Sequence, residues 1–198
     1  MANTIYFLRH GHTQIDRDTP IHKWVLSVRG ETEASQVADN RELQGVDIIV
    51  SSTEHKAYQT AKPLADRLGK EIIQVEELSE LDREASGLLH PNEYEEAVRE
   101  CMTYQDRSSH QWETADHALN RFSKKIEQIN REYKDKKILI VGHGMTMNLY
   151  FAKLAGELDH AFDRLGQNNF CDWGVVKEEK IIKELGGKMP ERAGERSK

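Results

Sequence analysis

The chain has 198 residues, 37% of them hydrophobic and 31% charged, with a formal net charge of −6. That length suits one domain with enough chain to bury a sizeable core. The acidic balance excludes a general nucleic-acid binder, which would be basic, but it leaves room for an anionic substrate, because a local positive pocket is enough.

No apolar run approaches the ~20 residues needed to span a bilayer, so no membrane partner is expected. The first residues enter a strand-like run at once, and no signal peptide is expected. Cys101 and Cys171 form no disulfide or metal pattern and fit reduced thiols, which points to the cytoplasm.

Residues 4–8 read as a buried strand that ends in Arg9-His10-Gly11-His12-Thr13. The segment 16–24 is polar and contains Pro20; it is expected to be a loop over a site. Gly30 to Leu43 has helix composition, with Ala34, Val37, Ala38 and Leu43 on an apolar face. Val46 to Val50 is a second strand, and Ser51-Ser52-Thr53 after it is a good helix N-cap cluster. Ala57, Thr60, Ala61, Leu64 and Leu68 mark a helix stopped by Gly69, with Pro63 as a kink site. Glu71 to Val75 is a third strand, followed by the acidic stretch Glu76 to Gly87.

Two helical stretches, about 92–104 and 113–133, read as an insertion over about 87–135 that caps the sheet face. Lys137 to Val141 is a strand leading into Gly142-His143-Gly144, and Met145 to Leu154 is the helix after it. Phe170 to Val176 and Ile181 to Leu185 form a late strand pair around the turn 177–180. The tail 186–198 is rich in Gly, Glu, Lys and Arg and is expected to be disordered. Strands alternating with helices imply an α/β chain: a three-layer α/β/α sandwich with a mostly parallel sheet and a helical cap insertion, forming one domain over 1–185.

Two strand-end histidines beside an arginine suggest chemistry on an anion, because sites in α/β sheets form outside the carboxyl ends of the strands. Arg-His-Gly-x-Thr near the N-terminus with Gly-His-Gly on a late strand resembles the histidine phosphatase superfamily, the fold shared with cofactor-dependent phosphoglycerate mutase. The resemblance covers most of residues 3–177, closely in the two histidine motifs and loosely between them.

The resemblance implies that His10 is a nucleophile that becomes phosphohistidine. It implies that Arg9 forks onto phosphate oxygens and that His143 stabilises the transferring charge. Gly11 and Gly144 would let the backbone approach the phosphate, and Thr13 would play a supporting role. Leaving-group protonation and water activation need one acid. Leu78-Ser79-Glu80-Leu81 resembles the family segment Leu-x-Glu, which makes Glu80 the choice over the neighbouring Glu77, Asp82 and Glu84.

Two positions depart from the family pattern. The family run Ser-x-x-x-Arg-Ala-x-x-Thr is matched by Ser52 to Thr60 with Lys56 in place of the arginine, which keeps the charge but loses the planar fork. Asp16 stands where an Asn commonly follows the first motif. An acid there repels phosphate unless it is protonated, turned away or paired, with Arg17 or Lys56 as possible partners. Both positions are counted among the substrate-binding residues.

The expected activity is a metal-independent phosphatase for a small phosphorylated metabolite or a phosphoprotein, with no cofactor. A mutase needs more anchoring groups than the insertion offers in Arg83, Arg99, Arg107, Arg121, Lys124 and Lys125. Three alternatives stay open at this point: a mutase-type phosphotransferase, a weakly active phospho-ligand binder, and a metal-dependent hydrolase holding its ion on His10 and His12. Oligomeric state and the identity of the substrate have no side-chain code here.

Overall fold

A computed structural model of the chain describes residues 2–186, so all of the expected tail except Gly186 lies outside the described residues. Six strands form one sheet: β1 (Thr4–Arg9), β2 (Ile48–Ser52), β3 (Ile72–Val75), β4 (Lys137–Gly142), β5 (Trp173–Lys177) and β6 (Lys180–Lys183). Their order is β3-β2-β4-β1-β5-β6. The first four are parallel, and β5 and β6 add an antiparallel edge. The expected late strand pair is present, with its turn between Lys177 and Lys180.

Alternation along the central strands builds two cores, because successive side chains point to opposite faces. On one face lie Ile5, Phe7, Val50, Ile138 and Ile140. They pack under α4 (Ala115–Glu132) and α5 (Gly144–Ala155), with α3 (Pro91–Thr103) and the short α6 (Ala161–Leu165) beyond. On the other face lie Tyr6, Leu8, Ile49, Leu139 and Val141, covered by α1 (Val28–Ala38) and α2 (His55–Leu68). The result is the three-layer arrangement that the strand–helix alternation implied. Helix α2 runs unbroken through Pro63.

The insertion is part of this packing. Helix α4 buries Ala118, Leu119, Phe122, Ile126 and Ile129, a stripe at helical spacing. Phe122 meets Phe7 at a 6.3 Å ring separation and Tyr150 at 5.6 Å. Phe7 also sits edge-on to Phe151 at 5.3 Å. An aromatic cluster of this kind contributes about 0.5–1.5 kcal/mol per pair beyond area burial. It lies two residues before Arg9, so the end of β1 is locked to both α4 and α5.

Register brings the functional residues to one level. Arg9 lies opposite Gly142, and Ser51 opposite Val141. The His10 N–H donates to the Gly142 carbonyl at 3.0 Å, which extends the β1–β4 ladder into the site itself.

Candidate active site

His10 is buried just past β1, with its ring 5.2 Å from that of His143. Its Nδ1 lies 2.8 Å from the Gly11 carbonyl. A carbonyl can only accept, so Nδ1 carries the proton and Nε2 keeps its lone pair. Thr13 Oγ1 sits 3.3 Å from the same Nδ1, a supporting position. Burial first, then the charges of His143, Lys56 and Arg9, hold the His10 imidazole well below its usual range. His10 is therefore a neutral imidazole at physiological pH.

Arg9 donates to the Asn168 carbonyl and stacks on Phe170, its guanidinium carbon 4.5 Å from the ring centre. Its Nε is buried without a partner, and burial lowers its otherwise very high pKa. Gly144 packs close beside it: a Cβ there would lie 3.1 Å from the guanidinium carbon and press on the arginine. Gly11 is also needed for packing. Its N–H is taken by Thr60 Oγ1 at 3.0 Å, and a Cβ there would lie 2.8 Å from the Gly30 carbonyl. The glycine thus lets α1 pack against the turn after β1.

His143 is fully buried ahead of α5. Its Nε2 is 2.6 Å from Ser52 Oγ and 3.3 Å from Glu54 Oε1, while its Nδ1 has no partner. Burial, then the charge of Lys56, holds this imidazole well below its usual range too. The cluster 51–53 was expected to cap α2. The cap position falls to Glu54, and the Ser52 hydroxyl meets His143 while accepting from the Glu54 N–H at 3.3 Å.

Lys56 does not meet Asp16. It is 3% exposed and forms an ion pair with Glu54, itself 6% exposed, and it donates to the Ile21 carbonyl at 3.1 Å. Asp16 turns away: its carboxylate accepts from Asp18 N–H and the Thr19 hydroxyl in its own exposed turn. These hydrogen bonds, that of Thr19 first, hold the Asp16 carboxyl below its usual range. The possible Asp16–Lys56 pair is thus not formed: the carboxylate is satisfied within its own turn.

Glu80 lies in irregular backbone after β3, and its carboxylate reaches the first turn of α5. Oε1 accepts from Leu81 N–H and Thr146 N–H, both at 3.0 Å, and Oε2 accepts from Met145 N–H at 2.9 Å. Its own N–H donates to Glu54 Oε1 at 2.7 Å. The alternatives line the same cleft as Glu80 but have other partners. Glu77 pairs with Lys125, Glu84 with His22, and Asp82 caps the Glu84 N–H.

The cleft, of about 770 Å³, opens on the Glu54–Glu80 side, lined also by Arg83 and Arg121 and by the exposed His22 and Glu84; Arg9, His10 and His143 lie behind it and are not among its lining residues. Ile21 and His22 belong to the 16–24 segment, which therefore does reach the site, as expected. His12 hydrogen-bonds Ser27 Oγ at 2.8 Å. Among the described residues, no group of three or more His, Cys, Asp or Glu side chains is placed to hold a metal ion. Ser52, Glu54 and Arg121 belong to the site and were missed from the sequence. Lys56, Thr60 and Leu64, at i, i+4 and i+8 along α2, form a buried stripe that signals an internal position for Lys56.

The comparisons give the family and the fold. The model of the histidine phosphatase superfamily (branch 1) matches residues 5–180. The chain belongs to that superfamily. It is 26% identical to the "Uncharacterized phosphatase PhoE" of Bacillus subtilis over 77% of each chain. It is also 26% identical to the "Probable phosphoglycerate mutase GpmB" of Escherichia coli over 96% of this chain and 92% of that one. Among solved structures, a mycobacterial glucosyl-3-phosphoglycerate phosphatase in complex with VO3 superposes with a TM-score of 0.75. It covers 94% of this chain and all of that one at 22% identity, which supports the fold. No helix among the described residues is long and apolar enough to cross a membrane.

Proposed function

We propose that the protein is a phosphomonoesterase acting through a phosphohistidine on His10. The observation that carries this reading is the geometry at His10: its Nδ1 lies 2.8 Å from the Gly11 carbonyl, which leaves Nε2 as the attacking nitrogen, with Arg9 next to it in the chain and the His143 ring 5.2 Å away. Nε2 attacks phosphorus, the N–P bond forms, and the P–O ester bond breaks with its electron pair on the leaving oxygen. Glu80 gives that oxygen its proton. Water then attacks phosphorus, the N–P pair returns to Nε2, and the Glu80 carboxylate takes the water's proton. The products are an alcohol and inorganic phosphate. Oε2 of Glu80, with a single protein donor, has the lone pair that the proton would occupy.

Arg9 supplies the fixed positive charge, and the unpartnered His143 Nδ1–H is the second donor when Ser52 donates to Nε2. Lys56 adds charge that Glu54 largely offsets. The substrate class is a small phosphorylated metabolite or a phosphoprotein. Hydrolysis is favoured over mutase chemistry because three basic side chains of the insertion are engaged, Arg121 with Glu113 and backbone carbonyls, Lys125 with Glu77, Arg99 with Glu95 and the Phe162 ring, which leaves Arg83, over the Tyr94 ring, as the further arginine lining the cleft. A mutase substrate has a second anionic end that needs such groups.

The test is a turnover screen over alkyl and aryl phosphates and phosphopeptides, with 3-phosphoglycerate as the mutase probe and with and without a chelator. A denaturing quench at alkaline pH and mass mapping of the labelled protein follow. Phosphate released with chelator present, and an acid-labile phosphoryl group on His10, are expected. Activity lost on chelation and restored by zinc or manganese would move the reading to the metal-dependent alternative. Tight phosphate binding without turnover would move it to the binder.

A further inference from the structure

We propose that Arg121, on the helix that follows the cleft, is a positioning residue that holds the Glu80 carboxyl in its proton-donating place. The inference rests on the reading of Glu80 as the proton donor. An arginine has five N–H donors in a rigid plane. Here the guanidinium makes five hydrogen bonds: Nε and Nη2 to the Glu113 carboxylate at 2.7 and 2.8 Å, Nη1 to the carbonyls of Glu77 and Ser79 at 2.9 and 2.8 Å, and Nη2 to the carbonyl of Glu80 at 2.8 Å. Glu113 in turn accepts from the Asp82 N–H at 3.0 Å. The group is mostly buried, and its companion Glu113 holds its charge as an ion pair.

The segment it grips needs such a support. Residues 79–83 have no helix or strand of their own to set their direction. Glu80 is instead clamped from both sides of its backbone: its N–H is held by Glu54 and its C=O by Arg121. With both peptide groups fixed, the side chain has one short reach to the first turn of α5. Arg121 rides on α4, whose opposite face carries Phe122 and Ile126 into the core, so the clamp is anchored to the sheet that carries His10. A lysine here could keep the charge beside Glu113 but not span three carbonyls.

The experiment compares Arg121→Lys, Glu80→Gln and the double variant on two substrates: an alkyl phosphate with a poor leaving group and p-nitrophenyl phosphate with a good one. Melting temperature and circular dichroism are read in parallel. For Arg121→Lys, kcat on the alkyl phosphate is expected to fall about 10–100-fold, the cost of a displaced catalytic group. KM should be unchanged, and the loss on the aryl phosphate should be under about 3-fold, because that leaving group needs little protonation. In the Glu80→Gln background the same substitution should cost nothing further.

Equal losses on both substrates, or no loss on either, would overturn the proposal. If Arg121→Lys does not fold, Glu113→Gln takes its place. It loosens one edge of the guanidinium and should give the same leaving-group pattern at smaller amplitude; an even loss there overturns the proposal as well. If Glu80→Gln itself loses nothing on the alkyl phosphate, it is the proton-donor reading that fails, and that outcome is seen without reference to Arg121.

Discussion

The two sides of the site are held by different means. On the His10–His143 side the backbone does the positioning: two adjacent parallel strands end at one level, and a ladder hydrogen bond runs from His10 N–H to Gly142. On the Glu54–Glu80 side no ladder is present at the functional residues. Buried side chains do the work there, with Lys56 on Glu54, Glu54 on the Glu80 N–H, and Arg121 on three carbonyls. The first kind of support tolerates change in its surroundings, because register is set along a whole strand. The second concentrates the support in single groups, so single substitutions should expose it.

The sharpest contrast is at the nucleophile. His10→Ala removes the attacking atom but leaves the strand ladder, so turnover should drop by about four orders of magnitude or more while the melting temperature stays near that of the unmutated protein. A near-normal rate, measured under saturating aryl phosphate, would break the proposed chemistry outright.

Glu54 should behave in the opposite way. Glu54→Ala leaves Lys56 buried without its counter-charge, and breaking a buried pair costs about 3–5 kcal/mol, readable in urea unfolding. Glu54→Leu combined with Lys56→Met should recover most of that stability. A single-variant cost below about 1 kcal/mol would show that the pair does not support this side of the site.

Gly144→Ala probes the join between the two kinds of support. The added Cβ meets the Arg9 guanidinium, so kcat/KM and vanadate affinity should each fall about tenfold, with little change in secondary structure. Unchanged vanadate affinity would mean that Arg9 has room to move and that the strand end is less confining than its contacts indicate.

The smallest effect is on pH. The folded pKa values of His10 and His143 lie well below that of a free imidazole. The unfolded chain therefore takes up protons that the native one refuses, and stability should decline as the pH falls below about 6.5. Above that value both states are neutral at these positions, and no such dependence is expected from them. The decline should be shallower in His10→Gln; equal slopes in urea midpoints between pH 7 and 5 would remove His10 from the account.

The layers of the fold and the His10–His143 side were readable in the sequence because their signals are local. An apolar run followed by Arg9-His10-Gly11, and another followed by Gly142-His143-Gly144, mark strand ends within a few residues. The substitution at Lys56 was visible too, but not its partner. Asp16 was the natural candidate, whereas the actual counter-ion, Glu54, looks like an ordinary solvated acid at a helix start. Arg121 was harder still. Besides Glu113 its partners are carbonyls 41–44 residues away, and a backbone acceptor leaves no trace in residue identity. The Gly11–Thr60 hydrogen bond belongs to the same class, since only the folded chain brings α2 beside the turn after β1.

The place of β1 and β4 in the sheet has a consequence for how the protein breathes. Both are flanked by other strands on each side and covered by helices on each face, so their amides are the last to become exposed in local openings. Amides of 5–8 and 138–141 should exchange with deuterium only through global unfolding, and the His10 amide, bonded to Gly142, with them. The amides of residues 79–83 lie outside any helix or strand and should exchange through smaller openings. His10 would then sit in the slowest-exchanging part of the molecule and Glu80 in a faster one, two mobilities within one candidate site.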